Sequence, residues 1–346
     1  MPIVLDAMGS DNYPDPEIQA AVQASQMLHE EIILVGKESL IAGKLAELNT
    51  GHHPVRIVDA PDVLEMGEKP VDAARKKPRN SMAVGLELVK NGEAQAFVTA
   101  GNTGGAMFNA YRTLRFLDGV QRPAMCALFP VKGGKAVITD IGANADCRPE
   151  FLLQFAVLGS IYAQKMLNIP NPRIGLLANG EEAGKGNQLV RDTYPLLAQS
   201  GLNFIGNVEG KEVFNGAADV VVTDGFTGNV LLKSSEAVAK FLFDMIKEQL
   251  TSTPIATLVG AMAKPFLKNI RKIMDPADVG AVPLLGVNGL VMIGHGRSDA
   301  RALVSAIRGA HAMIQANLLT AMQSAIQERL AQVDTVMASK AQETTL

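Results

Sequence analysis

Val137-Ile138-Thr139-Asp140-Ile141-Gly142-Ala143-Asn144-Ala145-Asp146 is a short run of apolar β-formers that stops abruptly in a loop of Asp, Gly and Asn. Two further stretches share the design: Phe97-Val98-Thr99-Ala100-Gly101-Asn102-Thr103-Gly104-Gly105 and Val220-Val221-Val222-Thr223-Asp224-Gly225-Phe226-Thr227-Gly228-Asn229. A buried parallel strand reads as a continuous apolar run, and in open α/β sheets ligands sit just beyond the carboxyl ends of such strands. These loops supply backbone N–H groups, small hydroxyl and amide donors and room for close approach, which suits an anion better than an apolar ligand. One such loop is most simply a βα turn. Three of one composition point to a shared anion-handling cleft.

Outward from these stretches, strand-like runs cover 2–6, 32–35, 55–58, 125–129, 173–177, 204–206 and 290–293, with helical stretches at 81–91, 150–167, 188–199 and 228–249. The alternation predicts βαβ units around a mainly parallel sheet, an α/β fold. At 346 residues the chain exceeds what one core usually serves, so a single two-lobed α/β domain over 1–335 with a cleft between its lobes is expected. The helix from Glu150 is apolar almost all round and is expected to pack on several sides, with a subunit interface as one way to cover it. Residues 336–346 read as a frayed tail.

Composition excludes several classes. The net charge of −3 gives no global attraction to nucleic acid. With no Trp and 5% aromatics, stacking on bases has little support. No apolar run approaches the roughly 20 residues that span a bilayer, and no N-terminal apolar leader is present, so a cytoplasmic protein is expected. Two cysteines, Cys126 and Cys147, are too few for a zinc cluster or a disulfide framework.

The familiar catalytic and cofactor signatures are missing: there is no GxSxG elbow, HExxH, P-loop or GxGxxG after a first strand. Neither a metal nor a cofactor is expected. Of the five histidines, only His295 follows a strand into a small-residue loop, Gly294-His295-Gly296-Arg297-Ser298. Lys185 lies between glycines in 179–187, ahead of a helix, where the positive end of the dipole disfavours a cation unless an anion is bound. It is the strongest single catalytic candidate. Arg148 and Arg122 are secondary anion partners. Cys147 beside Arg148 is a weak candidate for an acyl-accepting thiolate, because no base is assured nearby.

Several motifs in register, 99–107, 140–150, 181–187 and 224–229, with Leu5-Asp6-Ala7-Met8-Gly9 before them and Gly294-His295-Gly296 after, resemble the bacterial acyl-carrier-protein:phosphate acyltransferase family. The similarity spans residues 2 to about 309. Ser10 stands where the family usually has glycine, and Asn80 where it generally has serine.

The resemblance implies a two-lobed, Rossmann-like αβα sandwich, isopropylmalate-dehydrogenase-like or phosphate-acetyltransferase-like, usually a homodimer. It implies reversible transfer of a long-chain acyl group from acyl carrier protein to inorganic phosphate, giving acyl phosphate for phospholipid synthesis. Phosphate is itself the nucleophile and the thioester is already activated, so the protein has only to position both substrates and stabilise the oxyanion. On this reading Lys185, Asn229 and His295 are the catalytic group. Asn102, Thr103, Gly104, Asp140, Asn144, Asp146, Arg148, Thr227 and Arg297 bind substrate or phosphate. A phosphate acetyltransferase, a decarboxylating dehydrogenase or a membrane-associated scaffold for acyl carrier protein are the rival readings.

Residues 253–274 carry a last expectation. Thr253-Pro254 and Lys264-Pro265 each read as helix starts, which divides the stretch into two short helices of a protruding amphipathic hairpin. Ile255, Leu258, Val259 and Met262 in the first, and Phe266, Leu267, Ile270, Ile273 and Met274 in the second, recur at helical spacing opposite Lys264, Lys268, Arg271 and Lys272. Such a pair either packs on the body or across a dimer interface, or rests on the inner face of a membrane. A membrane glycerol-3-phosphate acyltransferase that consumes acyl phosphate would then be a partner.

Overall fold

The computed structural model describes residues 1–48, 54–274 and 276–328, with the side chains of 267–274, 276 and 277 outside that description. Its strands are β1 Ile3–Asp6, β2 Ile32–Gly36, β3 Val55–Asp59, β4 Ala96–Thr99, β5 Ala124–Val131, β6 Gly134–Thr139, β7 Ile174–Leu177, β8 Phe204–Val208, β9 Val220–Val222, β10 Ala281–Leu285 and β11 Leu290–Gly294. Its helices are α1 Asp15–Leu28, α2 Glu38–Glu47, α3 Pro70–Lys76, α4 Ser81–Lys90, α5 Thr103–Leu114, α6 Pro149–Met166, α7 Gln188–Ala198, α8 Gly210–Asn215, α9 Gly225–Thr251, α10 Pro254–Met274, α11 Pro276–Val279 and α12 Ala300–Gln315.

The strands form one 11-stranded sheet in the order β3-β2-β1-β4-β11-β10-β5-β6-β9-β7-β8. Side chains alternate between its faces with the period of two that a strand imposes. Ile3 and Leu5 point into one core and Val4 into the other, as do Val220 and Val222 against Val221. The first core is closed by α1, α6 and α12, the second by α4, α5 and α8, which makes a three-layer αβα sandwich. In α6, every residue from Phe151 to Ala163 is buried, so its all-round apolar surface is covered within one chain.

The sheet is parallel except at its centre, where β10 pairs antiparallel with both β11 and β5, and β5 pairs antiparallel with β6. Three reversals in a row invert the strand direction. The carboxyl ends of β1, β4 and β11 therefore leave one edge, and those of β6, β9 and β7 the other. The three loops expected to share one edge divide one against two. Strand β10 escapes a reading of the sequence because Pro283 interrupts it and a proline argues against a central strand. The ladder accommodates it: Ala281 to Pro283 pair with β11, and Leu284 and Leu285 pair with β5.

The break expected at Pro265 does not form. α10 is one continuous helix from Pro254 to Met274 with the proline inside it, and it packs back against α9. The hairpin is thus made of two long helices. An interior proline removes one backbone hydrogen bond and kinks a helix. The apolar stripe Ile255, Leu258, Val259, Met262, Phe266 passes through the proline without losing phase, and that periodicity prevails. The expectations for the side chains of Leu267, Lys268, Ile270, Arg271, Lys272, Ile273 and Met274, and for the tail 336–346, lie outside the described residues.

Candidate active site

One carboxylate organises the loop after β6. Asp140 is fully buried. Its Oδ1 accepts from the N–H groups of Met125 (3.0 Å), Gly142 (3.1 Å) and Ala143 (3.0 Å), and its Oδ2 from the N–H (2.7 Å) and Nδ2 (2.9 Å) of Asn144. Burial pushes its pKa up, and the converging donors oppose the shift. A carboxyl engaged this fully shapes the backbone and has no lone pair directed at a ligand. The second Nδ2 proton of Asn144 goes to the Pro123 carbonyl (2.7 Å). Both side chains, expected to meet substrate, hold the loop in shape.

The N-terminus of α9 is pressed onto this loop. The Gly225 N–H donates to the Asn144 carbonyl (2.8 Å). A Cβ on Gly228 would stand 2.0 Å from the Asp140 carbonyl oxygen, and one on Gly225 2.6 Å from that of Asn144, so only glycine permits the approach. Asp224 caps the helix, accepting from the Thr227 N–H (2.8 Å) and hydroxyl (2.8 Å). Thr227 is therefore tied to its own cap. Asn229, half-buried one turn on, faces the open side of Gly142. Asp146 and Arg148 are exposed where the loop runs into α6.

At the opposite edge the loops after β1, β4 and β11 meet. The buried Asp6 accepts from the Thr99 hydroxyl (2.7 Å), whose oxygen accepts from the Gly101 N–H (2.9 Å). Asn102 caps α5 through the Gly105 N–H (2.9 Å), and its Nδ2 braces the carbonyls of Met66 (2.9 Å) and Glu68 (3.3 Å). Its amide is thereby engaged, and the donors left at this end are the N–H groups of Thr103 and Gly104, at the first two helical positions. The Asp11 N–H donates to the Gly296 carbonyl (2.7 Å), which joins the loop of His295 and Arg297 to that of β1.

Helix α9 links the two edges. His295 and Arg297 are exposed, yet the protein around His295 still holds its imidazole below its ordinary range. Desolvation is the main cause; Arg297 and Lys233 act in the same direction, and Glu236 opposes them. Lys233 and Glu236 lie one and two turns beyond Asn229, about 6 and 10 Å further along the helix, and both act on the His295 imidazole. Among the described residues, the N–H groups of Thr103 and Gly104 at one edge are uncommitted, at the other those of Gly225 and Thr227 are spent within the fold, and α9 runs from that edge toward the imidazole of His295.

Two candidates stand elsewhere. Lys185 is exposed in the loop after β7, its stem over Gly180, two residues before Asn187 caps α7. β7 neighbours β9, so Lys185 shares an edge with Asn229 and, among the described residues, makes no ion pair. Arg122 lies 5.8 Å from the Phe151 ring centroid, a cation–π contact. Cys147 donates to the Asn144 carbonyl (3.5 Å), and burial followed by the nearby Asp140 charge pushes its thiol up to about 12. A thiol that stays protonated is no nucleophile at neutral pH.

Asp6, Thr99 and the segment around Met66 were not singled out as site residues in the sequence. The signal for Asp6 was present, an acid ending an apolar strand beside glycines. Nothing local marks 62–69, which reaches the site through Asn102, through Leu64 against Gly105 and through Met66 against Gly296.

Residues 1–321 match the family described as fatty acid synthesis protein. Relatives called phosphate acyltransferase include those of Elusimicrobium minutum, 44% identical over 95% of this chain and 96% of theirs, and Pelotomaculum thermopropionicum, 44% identical over 94% and 95%. Among solved structures, a phosphotransacetylase from Streptococcus pyogenes (TM-score 0.58, 18% identity, 94% of each chain) and the EutD phosphotransacetylase from Staphylococcus aureus (TM-score 0.57, 16% identity, 94% of each chain) share the fold. By sequence over nearly its whole length, and with a sandwich of the phosphate-acetyltransferase type, this chain belongs to the fatty acid synthesis protein family of phosphate acyltransferases.

Proposed function

We propose that this protein transfers a long-chain acyl group from acyl carrier protein to inorganic phosphate, releasing acyl phosphate for phospholipid synthesis. The observation that carries the reading is the cleft's donor set. Backbone N–H groups at the start of α5, those of Thr103 and Gly104, suit a phosphate and a developing oxyanion, and the thiol of Cys147 is held protonated. A phosphate oxygen attacks the thioester carbonyl, the new C–O bond forms, and the C–S bond breaks to release the carrier thiolate. His295, neutral at pH 7, takes the proton of the attacking phosphate and returns it to the departing sulfur. Lys185 supplies charge to the phosphate, and Asn229 with Thr103 and Gly104 supplies hydrogen bonds.

The test is to mix the purified protein with palmitoyl acyl carrier protein and look for palmitoyl phosphate. Product forms only when phosphate is added; thioester loss without acyl phosphate would sink the proposal.

The same reading extends to a homodimer acting at the inner face of the membrane. Ile255 (78% exposed), Leu258 (66%), Met262 (72%) and Phe266 (73%) on α10, with Phe241 (62%) on α9, support it as an unpartnered apolar surface. Among the described residues, no helix is long and apolar enough to cross a bilayer. Surface attachment would hand a poorly soluble acyl phosphate to a membrane glycerol-3-phosphate acyltransferase.

A further inference from the structure

We propose that the basic end of α3 and the turn behind it, Arg75, Lys76 and Arg79, form the docking surface for the protein that carries the acyl group; this rests on the function proposed above. The three side chains are exposed and, among the described residues, form no ion pair. Their neighbour Lys77 is already taken, by Glu68 (2.6 Å) and the Val63 carbonyl (2.7 Å). Of the acids around this segment, Asp72 sits in the first turn of α3, Glu68 is closed by Lys77, and the Asp62 carboxylate accepts from the Arg79 N–H. A helix C-terminus favours basic residues by itself. That preference accounts for Arg75 and Lys76 but not for Arg79, which lies past the helix with its N–H held by Asp62 (3.3 Å).

The position of this cluster separates it from an ordinary solvated face. α3 stands directly on both loops of one side of the cleft. Asn102 grips the carbonyls of Met66 and Glu68 just before it. A Cβ on Gly104 would lie 2.6 Å from the Pro70 ring, and one on Gly296 would lie 2.2 Å from the Met66 methyl. Seven residues of helix put its basic end about 10 Å along the axis from the contact of Pro70 with the Gly104 loop. At that range the charges cannot touch the reacting phosphate, but they can hold the body of a carrier whose flexible arm reaches into the cleft.

The arm of such a carrier is joined through an anionic phosphodiester, and an acidic face around the attachment point would complete the match. On a chain of net charge −3, a local cationic patch beside the cleft mouth steers that face where a uniformly charged surface would not.

The experiment compares wild type with a Arg75→Glu/Lys76→Glu/Arg79→Glu variant, at saturating phosphate, on palmitoyl acyl carrier protein and on palmitoyl-pantetheine, which has no protein body. Expected is a loss of tenfold or more in kcat/KM for the carrier substrate, mostly in KM, with a flattened salt dependence and an unchanged rate on the small thioester. Carrier kinetics within twofold of wild type overturn the proposal. So does an equal loss on both substrates, which would mean the loops beneath had been damaged; the milder Arg75→Gln/Lys76→Gln/Arg79→Gln variant checks that case by losing carrier affinity alone. If wild type turns over neither substrate, the proposed reaction fails, and calorimetric binding of acyl carrier protein to wild type and triple variant still decides the docking surface.

Discussion

Lys185 and Cys147 lie on the same edge of the sheet and differ in what their surroundings allow. The lysine is an exposed cation with no ion pair among the described residues, so Lys185→Ala removes little packing. It is expected to leave the melting temperature nearly unchanged while lowering turnover on the order of 10²-fold, as loss of one preorganised donor does. Turnover close to wild type at saturating phosphate would remove Lys185 from the reaction. Cys147→Ser is the companion variant: with the thiol held near 12, near-normal acyl phosphate formation is expected. The two departures from the family pattern also resolve at this scale. Asn80 caps α4 through the Ala83 N–H (3.0 Å), the task a serine performs there equally well. Ser10 is not among the residues with positive φ, so its position does not require glycine.

Among the elements, the α9–α10 hairpin carries the most exposed apolar surface, and its burial against lipid is the element-level prediction. Leu258→Glu/Phe266→Glu changes two side chains that are 66% and 73% exposed, so the fold should tolerate both. Wild type is expected to co-sediment with anionic liposomes and the double variant to stay in the supernatant, since apolar burial drives such surface binding. Equal sedimentation of the two, or none by an active dimeric wild type, would make the hairpin a structural element. At its base, Gly228→Ala sets a methyl against the Asp140 backbone at 2.0 Å. The start of α9 must then lift off the loop, at about 1–3 kcal/mol or more in a urea titration and with loss of activity.

For the whole molecule, the buried acids under the β1 loop set a dependence of stability on pH. Glu17 is fully buried, holds the Ser10 N–H (2.9 Å), and is pushed up to about 7, by burial first and by the neighbouring Asp6 in small part. Between its ordinary value and about 7, the folded chain keeps the proton that the unfolded chain has released. Stability therefore falls as pH rises through that window, by up to about 1.4 kcal/mol per pH unit, and levels off above it. Asp6, also raised, acts with the same sign. Glu17→Gln keeps the neutral form and is expected to flatten the slope between pH 5 and 7 in chemical denaturation. An unchanged slope would show that Glu17 is ionised in the fold.

By itself the sequence determined the class of fold and the identity of the loops. Runs such as Val220-Val221-Val222 are apolar on both faces because helices cover both sides of the sheet, and that requirement is local enough to be read residue by residue. That Asp140 to Asn144 and Asp224 to Asn229 are loops was legible, but that Asp140 shapes its backbone and Asp224 caps α9 was not, since both loops were expected to face substrate. Which edge each loop occupies was decided only in the tertiary structure. Strand direction depends on pairing partners far apart in the chain, and three antiparallel steps at β11-β10-β5-β6 place the loops on opposite edges. The same distance hides what each polar side chain is doing. Asn102 and Asn144 look like free amide donors until Met66, Glu68 and Pro123 arrive to accept from them, and the imidazole of His295 is pushed down chiefly by a desolvation that only the fold imposes.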